Sequence, residues 1–228
     1  MGHGGADNPE HPIYLRDFWI YRNEVTNNMY ANCVTTGNCS PPESSDYLDP
    51  EKANEPVIGV DWAQADAYCS WVEGDLPTEA QWEKTARGPE GNIYPWGDAA
   101  PSCELLNFDR CLDELSDVTD FPEGQSFYEA LDMAGNVFEW VADWYDPNYY
   151  QTSPEENPYG PEDGTVKSVR GSSFESDSQQ AQVFNRFFLE PEKKREDLGF
   201  RCVLVDPVFP ALNCVTTSRT TGEPGDGW

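Results

Sequence analysis

The chain has 228 residues, of which 42 are acidic and 14 basic, giving a formal net charge of −28. That excess opposes phosphate backbones and anionic lipid, which excludes nucleic acid as a partner class, and no apolar run nears the roughly 18 residues that membrane insertion as a spanning helix needs. With 38% apolar and 13% aromatic residues, eight of them Trp, the composition supports one sizeable folded domain rather than a disordered chain.

Ile13, Leu15, Phe18 and Ile20 alternate with polar neighbours in two short registers, which predicts a strand pair or a bent strand. Thr26 reads as the cap of a helix from about Asn27 to Thr36 that Gly37 stops, and Cys33 and Cys39 flank that stop closely enough to bridge. A second helix follows the cap Asp61, with Trp62, Ala65, Tyr68, Cys69 and Val72 on one face, and ends before Gly74. Thr78 and Gln81 stand three apart at the start of a third, where each side chain can satisfy the other's backbone amide; Gly88 should end it.

From Gly91 to Gly171 the chain is rich in Gly, Pro, Asn, Asp and aromatic residues with no sustained period, so little regular structure is expected there. So long an irregular stretch inside a compact domain needs pins, and metal ions or disulfides are the usual ones. Segments 166–174, 183–189 and 200–205 read as closing strands, and 206–228 as a flexible C-terminal extension to a domain of residues 1–205. Seven cysteines with no paired CxxC clusters argue for an oxidising compartment, hence a secreted or cell-surface protein. No signal peptide opens the chain, so its start reads as a mature or trimmed end.

Six segments occur in a recognisable order: Glu24 to Asn27, Leu76 to Glu83, Tyr94 to Asp98, Asp132 to Trp140, Val169 to Phe174 and Gly199 to Cys202. Together they make the chain resemble the formylglycine-generating enzyme, or sulfatase-modifying factor, family over residues 1 to 205. The resemblance implies an α+β, C-type-lectin-like fold with scant secondary structure, in keeping with the irregular centre. It also implies a bridge from Cys69 to Cys202. Cys103 and Cys111 are candidates to tie the intervening loop, which leaves Cys214 alone in the tail.

In that family a cysteine pair just after the Gly-Gly-Ser-Phe segment holds copper(I) and activates oxygen. Laid onto that pattern without gaps, the segment 172–186 has Ser176 and Ala181 where the two cysteines would stand, and no cysteine occurs between Cys111 and Cys202. No copper is therefore expected. Ser176, Ala181 and Arg186 read instead as residues of a binding groove. His3 and His11, both near the N-terminus, are the only histidines, which supports neither a multi-histidine iron site nor a Ser/His/Asp hydrolase.

Asp132 to Glu139 offers a carboxylate at each end and the carbonyls of Gly135 and Val137 between, a set of oxygen donors that suits calcium. The family binds calcium through the matching positions; the alternative is a turn capped by Asp132 with Glu139 bonded to backbone. A second calcium in the family carries over onto Asn107 and Phe108, with Asp113 or Asp117 as unproven acidic ligands. The expectation is thus a non-catalytic, calcium-stabilised, extracellular lectin-like module for a protein or small-molecule ligand. An oxidase with relocated chemistry and a structural subunit of a surface assembly, or homo-oligomer, stay open beside it.

Overall fold

The computed structural model describes residues 1–4, 8–204 and 214–217. Its elements run β1 (Trp19–Tyr21), α1 (Asn27–Thr35), α2 (Trp62–Trp71), α3 (Glu79–Arg87), β2 (Phe138–Trp144), β3 (Lys167–Arg170), β4 (Phe187–Leu189), β5 (Leu198–Phe200), β6 (Val203–Leu204) and β7 (Cys214–Thr216). They form two small sheets, ordered β4-β3-β2-β5 and β6-β1-β7, among long irregular connections. No helix is long and apolar enough to cross a membrane, among the described residues.

The helices start where their caps require. The Thr26 side chain accepts from Met29 N, and both Asp61–Gln64 and Thr78–Gln81 make reciprocal capping boxes, so orphan amides at all three N-termini are satisfied locally. Tyr30, Tyr68 and Cys69 bring the buried faces of α1 and α2 onto Trp140 of β2 and Phe200 of β5 in one core cluster. Trp82 and Ala86 of α3 join Leu106, Met133, Val141, Ala181 and Val183 in a second.

Three expectations need correction. Only residues 19–21 of the opening stretch form a strand, although Ile13, Leu15, Phe18 and Ile20 are all buried and pack together with Ala80 and Val203. The irregular centre contains β2, an interior strand of the larger sheet, antiparallel to β3 and parallel to β5. Within the extension expected to be flexible, Cys214 is half-buried on β7, opposite Tyr21 of β1. The rest of the proposed extension, residues 206–213 and 218–228, lies outside the described residues.

The three bridges form as expected: Cys33–Cys39, Cys69–Cys202 and Cys103–Cys111. Asparagine side chains supply further pins that composition did not reveal. Asn107 Nδ2 donates to Glu114 O, Asn23 Nδ2 to Val118 O, and Asn136 both donates to Ser116 O and accepts from Ser116 N. Each holds backbone groups of the irregular 107–118 region that no ladder satisfies.

Candidate functional site

The segment Leu131–Glu139 leads into β2 as a tightly wound loop. Asp132, Gly135 and Asn136 all have positive φ, at 54°, 85° and 57°. At Gly135 a Cβ would lie 2.5 Å from Asn107 O, so only glycine allows the loop and residue 107 to approach this closely. Leu131 N donates to Arg22 O, Gly135 N to Ser172 Oγ and Asn136 N to Asn107 O, which fastens the loop to three distant segments.

Glu139, the second residue of β2, is fully buried against Arg201. Arg201 Nε and Nη2 donate to its two oxygens at 2.8 and 2.7 Å, and Trp82 Nε1 adds a third bond at 3.0 Å. The remaining guanidinium hydrogens go to the carbonyls of Tyr21, Arg22 and Leu131. A buried charge pair persists only when both partners are this fully hydrogen-bonded. Glu139 is therefore bonded to side chains rather than to backbone.

Asp132 and Glu24 are buried beside this pair but lack its satisfaction. Glu24 Oε2 accepts one long bond from Asn136 Nδ2, at 3.4 Å, while Glu24 Oε1 and Asp132 Oδ2 have no hydrogen-bond partner in the described structure. Burial, reinforced by Asp132 and Glu139, holds the Glu24 carboxyl well above the usual carboxylate range. Burial likewise pushes Asp132 up to about 8, with the Arg201 guanidinium opposing the shift. Glu24 was not anticipated as a site residue. Its place in the Glu-Val-Thr-Asn segment was legible, but nothing local signals that it meets a loop 108 residues further on.

At the other expected calcium position, Asn107 already donates to Glu114 O and accepts from Leu112 N, and Phe108 O accepts from Cys111 N. Both oxygens thus help to hold the loop together. Asp113 lines a separate cleft of about 750 Å³ with Glu43, Glu55, Glu114, Lys52 and Arg195. Among the described residues no three His, Cys, Asp or Glu side chains converge tightly enough to hold a metal by themselves.

The three expected groove residues do not line an open groove. Ser176 is 3% exposed, with its Oγ accepting from Ser173 N, and Ala181 is 1% exposed within the second core cluster. Arg186 turns inward to make two bonds to Glu79, at 2.9 Å each, and covers the Tyr150 ring at 3.9 Å. Polarity between Glu175 and Phe184 is displayed instead by Glu175, Asp177, Ser178, Gln179 and Gln180, which are exposed. Six of the seven cysteines are bridged, and Cys214 is the one free thiol, its acidity lowered by burial so that its pKa rises to about 11.

The mixed sheets, three capped helices and long pinned loops define an α+β protein of the C-type-lectin-like, formylglycine-generating-enzyme type. Treponema denticola variable protein 1 has the same fold, with a TM-score of 0.73 at 22% identity over 89% of this chain and 90% of that one. PvdO from Pseudomonas aeruginosa follows at 0.67 and 23%, over 82% and 79%. The chain belongs to the sulfatase-modifying factor enzyme 1-like domain family, whose model matches residues 1–205.

Its relatives include the formylglycine-generating enzyme of Streptomyces coelicolor, 34% identical over 66% of this chain and 53% of that protein. The inactive Cα-formylglycine-generating enzyme 2 of Mus musculus is 35% identical over 67% and 50%. The serine/threonine-protein kinase pkn1 of Chlamydia caviae is 30% identical over 86% of this chain but only 34% of its own length. The chain thus spans between a third and about half of the length of these relatives, and membership alone does not decide activity, because the family contains both active and inactive proteins.

Proposed function

We propose that this chain is a non-catalytic, calcium-stabilised binding module of its family, acting in a secreted or cell-surface protein. The observation that carries the reading is the state of the cysteines. Two-thiolate copper(I) chemistry needs two free thiols side by side, and six of the seven sulfurs are in disulfides while Cys214 stands alone on β7. Ser176 and Ala181, which the resemblance puts at the positions of the family's cysteine pair, have neither a thiol nor access to solvent. The three disulfides also favour an oxidising, extracellular setting.

Calcium fits the Asp132 loop because an orphaned, buried carboxylate oxygen faces no other donor there. Asp132 and the carbonyls of Gly135 and Val137 would hold it, with Glu139 on β2, and the ion would supply charge compensation rather than catalysis. The ligand of the module is a protein or small molecule taken up by exposed loops.

Incubation with a sulfatase-type cysteine peptide, copper and oxygen, followed by mass spectrometry, is the test. The peptide should be recovered with its thiol intact. Aldehyde formation that depends on this protein and on oxygen would overturn the reading in favour of an oxidase with relocated chemistry.

A further inference from the structure

We propose that the Cys103–Cys111 disulfide is a redox-opened clasp: a dithiol reduces it ahead of the other two bridges and frees the turn Asp109–Cys111 from the Phe174–Ser176 segment that it covers. The proposal goes beyond the functional reading above and is independent of calcium.

Of the three bridges this one alone reaches the surface. Cys103 is exposed and Cys111 half-buried, whereas Cys33, Cys39, Cys69 and Cys202 are all buried. Disulfide exchange needs a thiolate to approach a sulfur, so access decides which bridge opens first. The first thiolate of the dithiol attacks one sulfur and releases the other, and its second thiol then displaces the mixed disulfide. Two electrons and two protons pass to Cys103 and Cys111, and the dithiol leaves as its cyclic disulfide.

The turn held by the clasp is strained. Asp109 and Arg110 are consecutive and neither is glycine, yet both lie in the left-handed region, with φ of 46° and 57°. Asp109 N donates to Ser176 O at 2.9 Å and Arg110 N to Phe174 O at 2.8 Å, which lays the turn across residues 174–176 as a strap. The Arg110–Glu175 ion pair adds little, because both side chains are exposed. Two backbone hydrogen bonds and the strain of two left-handed residues are similar in size and opposite in sign. The covalent bridge therefore decides whether the strap stays closed.

The ground on either side does not depend on the bridge. Leu106 and Phe108 are buried in the second core cluster, and the Asn107 side chain bonds to Leu112 N and Glu114 O. Opening is thus confined to residues 109–111. Ser176, only 3% exposed, loses a bond to the strap, and so does Phe174, which lines the cleft of about 750 Å³ together with Asp113 and Glu114. The redox state of the clasp accordingly sets how firmly that wall of the cleft is held and how far the turn at Ser176 is covered.

The oxidised full chain is titrated with dithiothreitol, thiols are alkylated at each step and located by peptide mass spectrometry, and amide exchange is followed by NMR. Cys103 and Cys111 should be alkylated first, with both other bridges intact. Exchange of the Asp109 and Arg110 amides should then quicken by about tenfold or more while the amides of β2 keep their rates, and reoxidation should restore protection. Cys103→Ser/Cys111→Ser should fold and show the same quickened exchange without any dithiol. The proposal is overturned if Cys103–Cys111 opens only together with Cys69–Cys202, or if Asp109 and Arg110 stay as protected after opening as before. A double variant that cannot fold overturns it too, because the bridge would then hold the whole domain rather than one turn.

Discussion

Asp143 on β2 illustrates how burial alters a carboxyl's behaviour. It is 3% exposed, its Oδ2 accepts from Glu79 N at 2.7 Å, and burial followed by the Glu79 charge pushes its pKa up to about 8, against the pull of Arg186 and Lys167. An unfolded Asp titrates near 4, so between about pH 4 and 8 the native state holds a proton that the unfolded chain has lost. This contribution is fully present below about pH 4 and is lost as pH rises through about 8, at up to about 1.4 kcal/mol per pH unit. Asp143→Asn keeps an oxygen for Glu79 N and removes the titration. Its urea-unfolding stability should therefore gain on wild type steadily from pH 5 to 8. Because Asp132 is displaced in the same direction in both proteins, the difference between them isolates Asp143. Parallel profiles would mean that Asp143 is already ionised when folded.

At the scale of elements, the helices were legible because their signals are local: Thr26, Asp61 and Thr78 cap within three residues, and each helix stops within two of its expected end. β2 was not. Its residues Phe138 to Asp143 are all buried, so both faces meet protein and no polar alternation marks it. β7 was hidden for the opposite reason, being a short, half-buried edge segment in a Thr-rich sequence. The Glu139–Arg201 pair joins residues 62 apart, and no period in the chain announces it. What the family motifs did announce was the Cys69–Cys202 bridge between α2 and the turn from β5 to β6. Closing 133 residues, it contributes about 5 kcal/mol on the chain-entropy model, against about 2 kcal/mol for the six-residue span of Cys33–Cys39. Replacing each pair by alanines should lower the denaturant midpoint far more for Cys69/Cys202, and equal losses would assign the effect to packing of the buried sulfurs instead.

For the molecule as a whole, acids outnumber bases by a larger ratio at the surface than in the composition, because a larger share of the bases than of the acids is buried. Of the 14 cations, Arg87, Lys167, Arg170, Arg186 and Arg201 have their side chains inside, leaving at most nine for the surface. Several of those are already committed, as in Lys52–Asp46, Arg110–Glu175 and Arg195–Asp197. The exposed acids, among them Glu43, Asp113, Glu114, Glu155 and Glu196, therefore repel one another with little opposition. Screening shrinks the reach of that repulsion from about 30 Å at 0.01 M salt to about 10 Å at 0.1 M. Melting temperature should accordingly climb gradually with sodium chloride, because the term is spread over the whole surface. On the proposed calcium reading, calcium should act differently, with a saturable rise that sodium chloride does not reproduce, as expected of an ion held at one site in the native state only. A melting temperature that falls with sodium chloride would mean that the surface ion pairs outweigh the repulsion. A calcium response that merely tracks ionic strength would mean that calcium acts as a screening ion.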